Sequence, residues 1–144
     1  MEIYTTYMSK KIKIGITGSK LYENKLRIKE FIFNLKSQPD KEFVIVGMGD
    51  LFGADKYVKK YALEFGYQYA EHNLPHTNKN LYSVMQESFY NKPYAHKNIF
   101  LRDKIYASSV DMCVVFDINV PMDRKCENVI KELKKLKRKV VVVG

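Results

Sequence analysis

The stretch Ile12-Lys13-Ile14-Gly15-Ile16-Thr17-Gly18-Ser19-Lys20 decides the fold. A run rich in β-branched side chains enters a Gly-Ser pair, so a strand stops and turns there. Ile28, Phe31, Ile32 and Leu35 follow at the i, i+3, i+4, i+7 spacing of one helix face. Ser37-Gln38-Pro39-Asp40 breaks that helix, and Phe43-Val44-Ile45-Val46 forms a second buried-strand run ended by Gly47. Val58, Tyr61, Ala62 and Phe65 repeat the helical spacing, with Gly66 where a helix C-terminus favours a left-handed residue.

Further along, Tyr67–Glu71 reads as a third, more polar strand. Asn73–Asn80 has loop chemistry, and Leu81, Val84, Met85, Ser88 and Phe89 predict a helix ended by Asn91-Lys92-Pro93. A helix over Asn98–Val110, a strand over Met112–Phe116, a helix marked by Val129, Ile130, Leu133 and Leu136, and a strand over Val140–Val143 complete the order. Strands alternating with helices pair in parallel through crossovers, and near-continuous Val/Ile runs belong to strands covered on both faces. The expectation is an α/β, Rossmann-like doubly wound sandwich of about five mainly parallel strands with helices on both faces. Ligands of such sheets bind beyond the carboxyl ends of the strands, near the reversal of strand order.

The length of 144 residues fits one domain over residues 1–144, with residues 1–10 as an N-terminal extension and 72–97 as an excursion near the site. With 46% hydrophobic and 28% charged residues the chain is too apolar for disorder. It has no apolar run long enough for a membrane span and no signal-peptide pattern at Met1–Lys13. Cys113 and Cys126 make neither a disulfide framework nor a metal-binding motif, so a cytoplasmic setting is expected, with no metal and no cofactor. The net charge of +9 favours polyanionic partners without choosing among them.

Three loops carry the candidate chemistry. Gly18-Ser19-Lys20 offers a close backbone approach, a hydroxyl and a cation; the alternatives are phosphate contact at a helix entrance or a plain turn capped by Ser19. Gly47-Met48-Gly49-Asp50-Leu51-Phe52-Gly53-Ala54-Asp55 has more glycine than a turn requires, in a spacing that is neither the dinucleotide fingerprint nor a P-loop. Asp55 would repel an adjacent phosphate, so it caps the following helix or accepts a ribose hydroxyl. In the third loop, His76, Thr77 and Asn80 lie just past a strand end, among aromatics suited to a nucleotide. His72 and His76 are four apart, but Pro75 between them argues against paired metal ligands on a helix. Arg102 falls on the inner side of its helix, where a guanidinium pairs with a carboxylate or points into a ligand pocket. The lysine-rich final helix reads as a solvated face, lacking the aromatic platforms of a nucleic-acid surface between Pro121 and Gly144.

Gly18-Ser19-Lys20, Gly49-x-x-x-Gly53-Ala54-Asp55 and Arg102-Asp103 together resemble the SLOG superfamily, and within it the YspA-type branch. The resemblance runs from about Lys11 to Val143. It implies a Rossmann-like domain that binds nucleotides or nucleotide-derived ligands. Relatives include the lonely-guy-type phosphoribohydrolases, the DNA-processing protein A family and sensors of cyclic ADP-ribose-like signals. The late Gly-Thr or Gly-Ser turn of the family is replaced here by Asp123-Arg124-Lys125-Cys126, and Val129 stands where the phosphoribohydrolases carry a glutamate. An arginine without that acidic partner leaves the ribosyl bond without an obvious general acid or nucleophile.

The expected function is therefore binding, by sensing or sequestration, of a nucleotide or an ADP-ribose-like or cyclic nucleotide signal; a phage anti-defence sponge is one form of that role. The expected ligand contacts are Gly18, Ser19, Lys20, Gly47, Gly49, Asp50, Gly53, Ala54, Asp55, His76, Thr77, Asn80, Arg102 and Arg124. One alternative is an N-glycosidic hydrolase or transferase acting on nucleoside phosphates through Glu127 or Asp103, with Asp55 as a further carboxylate. Another is single-stranded nucleic-acid binding. Resemblance also implies a homodimer or higher homo-oligomer.

Overall fold

The computed structural model describes residues 10–144. The proposed N-terminal extension lies outside them except for Lys10, which opens the first strand. The chain order is β1 (Lys10–Gly18), α1 (Lys25–Asn34), β2 (Lys41–Gly47), α2 (Ala54–Glu64), β3 (Gln68–Glu71), α3 (His96–Ser109), β4 (Met112–Phe116), α4 (Arg124–Lys135) and β5 (Lys139–Val143). Short 3-10 turns occupy Leu35–Ser37 and Glu87–Phe89. All strand pairs are parallel, in the spatial order β3-β2-β1-β4-β5. The doubly wound expectation holds, and strand order reverses between β1 and β4.

Side-chain alternation in the strands divides the core into two layers. Ile14, Ile16, Phe43, Ile45, Val114 and Phe116 pack with Ile28 and Ile32 of α1 and with Val58 and Ala62 of α2. On the opposite face Val44, Val46, Cys113 and Val115 meet Tyr106 and Ala107 of α3 and Val129 and Leu133 of α4. Ile28 and Ile32 are fully buried, and each such side chain contributes roughly 1.5–3 kcal/mol. Both faces of the sheet are thus covered at β1, β2 and β4; β5, also a Val run, is an edge strand that leaves Val141 and Val142 exposed.

One element differs from expectation. No α-helix forms over Leu81–Phe89; only the turn Glu87–Phe89 is helical. The Asn80 side chain accepts from the Tyr82 N–H at 2.8 Å, bending the chain. The backbone then lies along the free edge of β3: the Glu71 N–H donates to Tyr82 O at 2.9 Å and the Val84 N–H to Glu71 O at 3.1 Å. Strand-edge hydrogen bonds replace helical ones, and Leu81 and Val84 are left exposed. Of the apolar spacing, Met85 and Phe89 lie against Leu101 and Ile105 of α3, while Tyr82, outside that spacing, packs edge-on to Tyr69 of β3 at 5.6 Å.

Candidate functional site

Strand reversal places the ends of β1 and β4 side by side, with Gly18 opposite Phe116. The Ser19 N–H donates to Phe116 O at 2.9 Å, and the Ala54 N–H to Ser19 O at 3.0 Å. A Cβ on Gly18 would lie 2.3 Å from Phe116 O, and one on Gly53, which has φ +68°, 2.4 Å from Lys20 O. These glycines let the β1 and β2 loops press together. The helix after β1 begins only at Lys25, capped by Asn24, whose side chain accepts from the Arg27 N–H. The Gly18-Ser19-Lys20 turn is therefore not a helix entrance, and Ser19 is not its cap. Ser19 is buried; its hydroxyl accepts from the Leu21 N–H and the Asn119 amide and donates to Asp123. Lys20 is exposed.

Beneath these loops lies a buried ionic network. Lys125 Nζ sits 2.6 Å from Asp55 Oδ2 and 2.9 Å from Asp50 Oδ2. Thr17 donates to Asp55 Oδ1 at 2.6 Å. Arg102 Nε donates to Asp103 Oδ1 at 2.8 Å, and its Nη1 donates to Met48 O and His72 O. The same Nη1 lies 3.6 Å from Asp50 Oδ1, too far for a hydrogen bond. Asn128 of α4 holds Asp103 Oδ2 at 3.0 Å. Of the two readings of Arg102, the carboxylate pair is the one seen: the side chain is buried against Asp103 and braces the β2 and β3 loops from below. Asp55 is not a helix cap, since Gly53 occupies that position and the carboxylate points inward to Thr17 and Lys125.

Charge arithmetic explains the titration of this cluster. Among the described residues, Asp50, Asp55 and Asp103 pair with Lys125 and Arg102 alone. One carboxyl is in excess, and burial pushes Asp55 up to about 6 against the pull of Lys125. Asp50 stays below the ordinary carboxylate range because Lys125 and Arg102 outweigh its desolvation. Burial works against the ammonium of Lys125, yet Asp55 and Asp50 hold its proton more firmly than usual. His72, buried edge-on to Tyr106 at 5.4 Å, is pushed down to about 4 by desolvation and then by Arg102.

A cavity of about 290 Å³ opens beyond the ends of β2 and β3. Gly49, Asp50, His76, Thr77 and Asn80, five of the expected contacts, line it together with Glu71. Glu71 is buried, accepting from Tyr69 and Asn80 and paired with Lys59 at 3.3 Å. Asp50 is the least buried carboxylate of the ionic network, its side chain 21% exposed against 0% for Asp55 and 1% for Asp103. Its Oδ2 is held by Lys125, and its Oδ1 is buried without a hydrogen-bond partner. Gly47 ends β2 against Tyr69, and Gly18, Gly53 and Ala54 form the loop-to-loop contact. Arg124 and Glu127 are exposed in the first turn of α4. His72 and His76 do not converge, since His76 packs on Tyr94 instead.

Sequence reasoning missed Lys125, the central cation, and chose Arg124 beside it. Helical phase distinguishes them: Lys125 lies one turn before buried Val129, at i and i+4, whereas Arg124 points outward. Glu71 was missed because a buried glutamate on a polar edge strand leaves no pattern. Asp117 and Asn119 were missed as loop residues. Asp117 accepts from the Asn119 and Asp123 N–H groups and thereby shapes the β4–α4 loop.

No protein-family model matches the chain, and no curated protein matches it. Among solved structures, it is similar to the molybdenum cofactor carrier protein MCP from Chlamydomonas reinhardtii, at 19% identity and a TM-score of 0.65 over 94% of this chain and 78% of that one. The fold is Rossmann-like. A universal stress protein from Archaeoglobus fulgidus superposes with a TM-score of 0.45 at 12% identity, over 99% of both chains. No helix among the described residues is long and apolar enough to cross a membrane.

Proposed function

We propose that this chain binds a small nucleotide-derived ligand at the carboxyl end of its sheet without turning it over. The carrying observation is the polar cavity beside the β2 loop, lined by Asp50, whose Oδ1 has no hydrogen-bond partner, and by Asn80, Thr77, His76 and Lys59. Carboxylate and amide oxygens there suit the donors of a ribose diol or an amino group. Lys59, which lines the cavity, and Lys20 and Arg124, exposed at the same end of the sheet, are cations available to phosphate. The SLOG-like motifs favour the same ligand class.

Binding is preferred over glycosidic chemistry because Asp55 and Asp103 are closed to solvent and engaged by Thr17, Lys125, Arg102 and Asn128. A general acid must reach the leaving group. Glu127 is open, on the first turn of α4. In the role the resemblance implies, the protein senses or sequesters a nucleotide-type signal in the cytoplasm, a phage sponge being one such case, and acts as a homo-oligomer. The carrier role named for MCP is likewise one of holding a small molecule.

Mass spectrometry of protein denatured directly from cells identifies any resident ligand. Incubation with AMP, NAD and cyclic ADP-ribose isomers, followed by chromatography before and after heating, then separates the readings. Intact ligand released by heat is expected; free base in the unheated sample overturns binding without turnover. Failure of all three to bind at millimolar concentration overturns the nucleotide class.

A further inference from the structure

The cavity is small and open: about 290 Å³ lies at the floor of the roughly 300–1,000 Å³ range of ligand pockets. A nucleotide seated there has room to extend over the neighbouring surface. His76, which lines the cavity, begins a ladder of rings that leads outward. Tyr94 meets His76 at 5.1 Å and 63°, His96 meets Tyr94 at 5.6 Å and 74°, and Phe100 stacks on His96 at 6.3 Å and 28°. Tyr94 is 63% and Phe100 49% exposed. Single exposed apolar residues need no explanation; contiguous rings running from a cavity wall do.

The ladder is held in place by backbone. The Asn91 N–H donates to Thr77 O at 3.1 Å and the Lys92 N–H to Pro75 O at 2.9 Å. The segment carrying Tyr94 is thus fastened to the turn carrying His76, and α3 supplies His96 and Phe100. Exposed Lys92 and Lys97 flank the rings in sequence. An acceptor-bearing cavity next to rigid aromatic faces matches a sugar and the base attached to it. Stacking reads ring area rather than hydrogen-bond pattern.

We infer that Tyr94, with His76 and His96 behind it, is a nucleobase subsite outside the cavity, one that favours purines by stacking area. This rests on the proposed nucleotide binding and names where the base goes. Titration calorimetry with AMP and ribose 5-phosphate, on wild type, Tyr94→Ala and Tyr94→Phe, tests it. Wild type should bind AMP tighter by on the order of 5- to 150-fold, the range of one stacked base. Tyr94→Ala should lose most of that ratio and Tyr94→Phe keep it, with ribose 5-phosphate affinity unchanged in both. Tyr94 is exposed, so neither variant endangers the fold. Equal affinity for the two ligands in wild type, or an unaltered ratio in Tyr94→Ala, overturns the subsite while nucleotide binding stands. Binding of neither ligand overturns the functional proposal and this inference with it.

Discussion

Lys125→Met probes the ionic network most directly. Lys125 neutralises two carboxylates, Asp55 at 2.6 Å and Asp50 at 2.9 Å, and its side chain is only 12% exposed. Removing it leaves three carboxylates against Arg102. Breaking a buried pair from one side costs about 3–5 kcal/mol. The cost depends on pH because Asp55, already at about 6 with Lys125 present, must rise further without it. Above pH 6 the folded variant then retains a proton that wild type has released. Its stability falls relative to wild type by up to about 1.4 kcal/mol per pH unit. Urea unfolding followed by circular dichroism should show a penalty about 2 kcal/mol larger at pH 8 than at pH 6. Adding Asp55→Asn should remove that pH dependence. An identical penalty at both pH values, or one below about 1 kcal/mol at pH 8, would refute the reasoning.

In wild type, Asp55 holds its proton up to about 6 when folded and releases it near 3.8 when unfolded. Its contribution to stability is therefore fully present below about 4 and declines as pH rises through 6; comparing denaturant midpoints of wild type and Asp55→Asn across that window isolates it. Arg102→Lys cannot hold Asp103, Met48 O and His72 O together, and should cost about 2–4 kcal/mol by thermal or urea unfolding. Gly53→Ala combines φ +68° with a 2.4 Å clash on the Lys20 backbone and should destabilise by more than about 1 kcal/mol, read as a lower melting temperature. Arg124→Ala, on an exposed side chain, should leave stability within about 0.5 kcal/mol while weakening AMP binding several-fold by calorimetry.

The fold was legible because burial on both faces writes strands as Val/Ile runs, and helix faces repeat at 3.6 residues. Phe43–Val46 and Met112–Phe116 became β2 and β4, and Ile28 with Ile32 faced the core. Residues Leu81–Phe89 misled because edge pairing with Glu71 competes with helix formation through contacts distant in sequence. At the site, Gly49, Asp50, His76, Thr77 and Asn80 were readable as loop residues beyond strand ends and meet at one cavity. Lys125 was hidden among surface lysines, although the phase set by Val129 points it inward. The partners of Asp55 could not be read at all, since Thr17 and Lys125 reach it from opposite ends of the chain.

The position of β1 has a consequence for how the protein is made. This first strand is the middle of the sheet, and its second neighbour is β4, whose Met112 pairs with Ile14. At ribosomal speeds of ~5–20 residues per second, that partner follows roughly 5–20 s later. Until then one side of β1 has no ladder to join, a state that invites pairing with other chains. Lys11 and Lys13 are exposed along this strand, and charges in such places disfavour edge-to-edge pairing between chains.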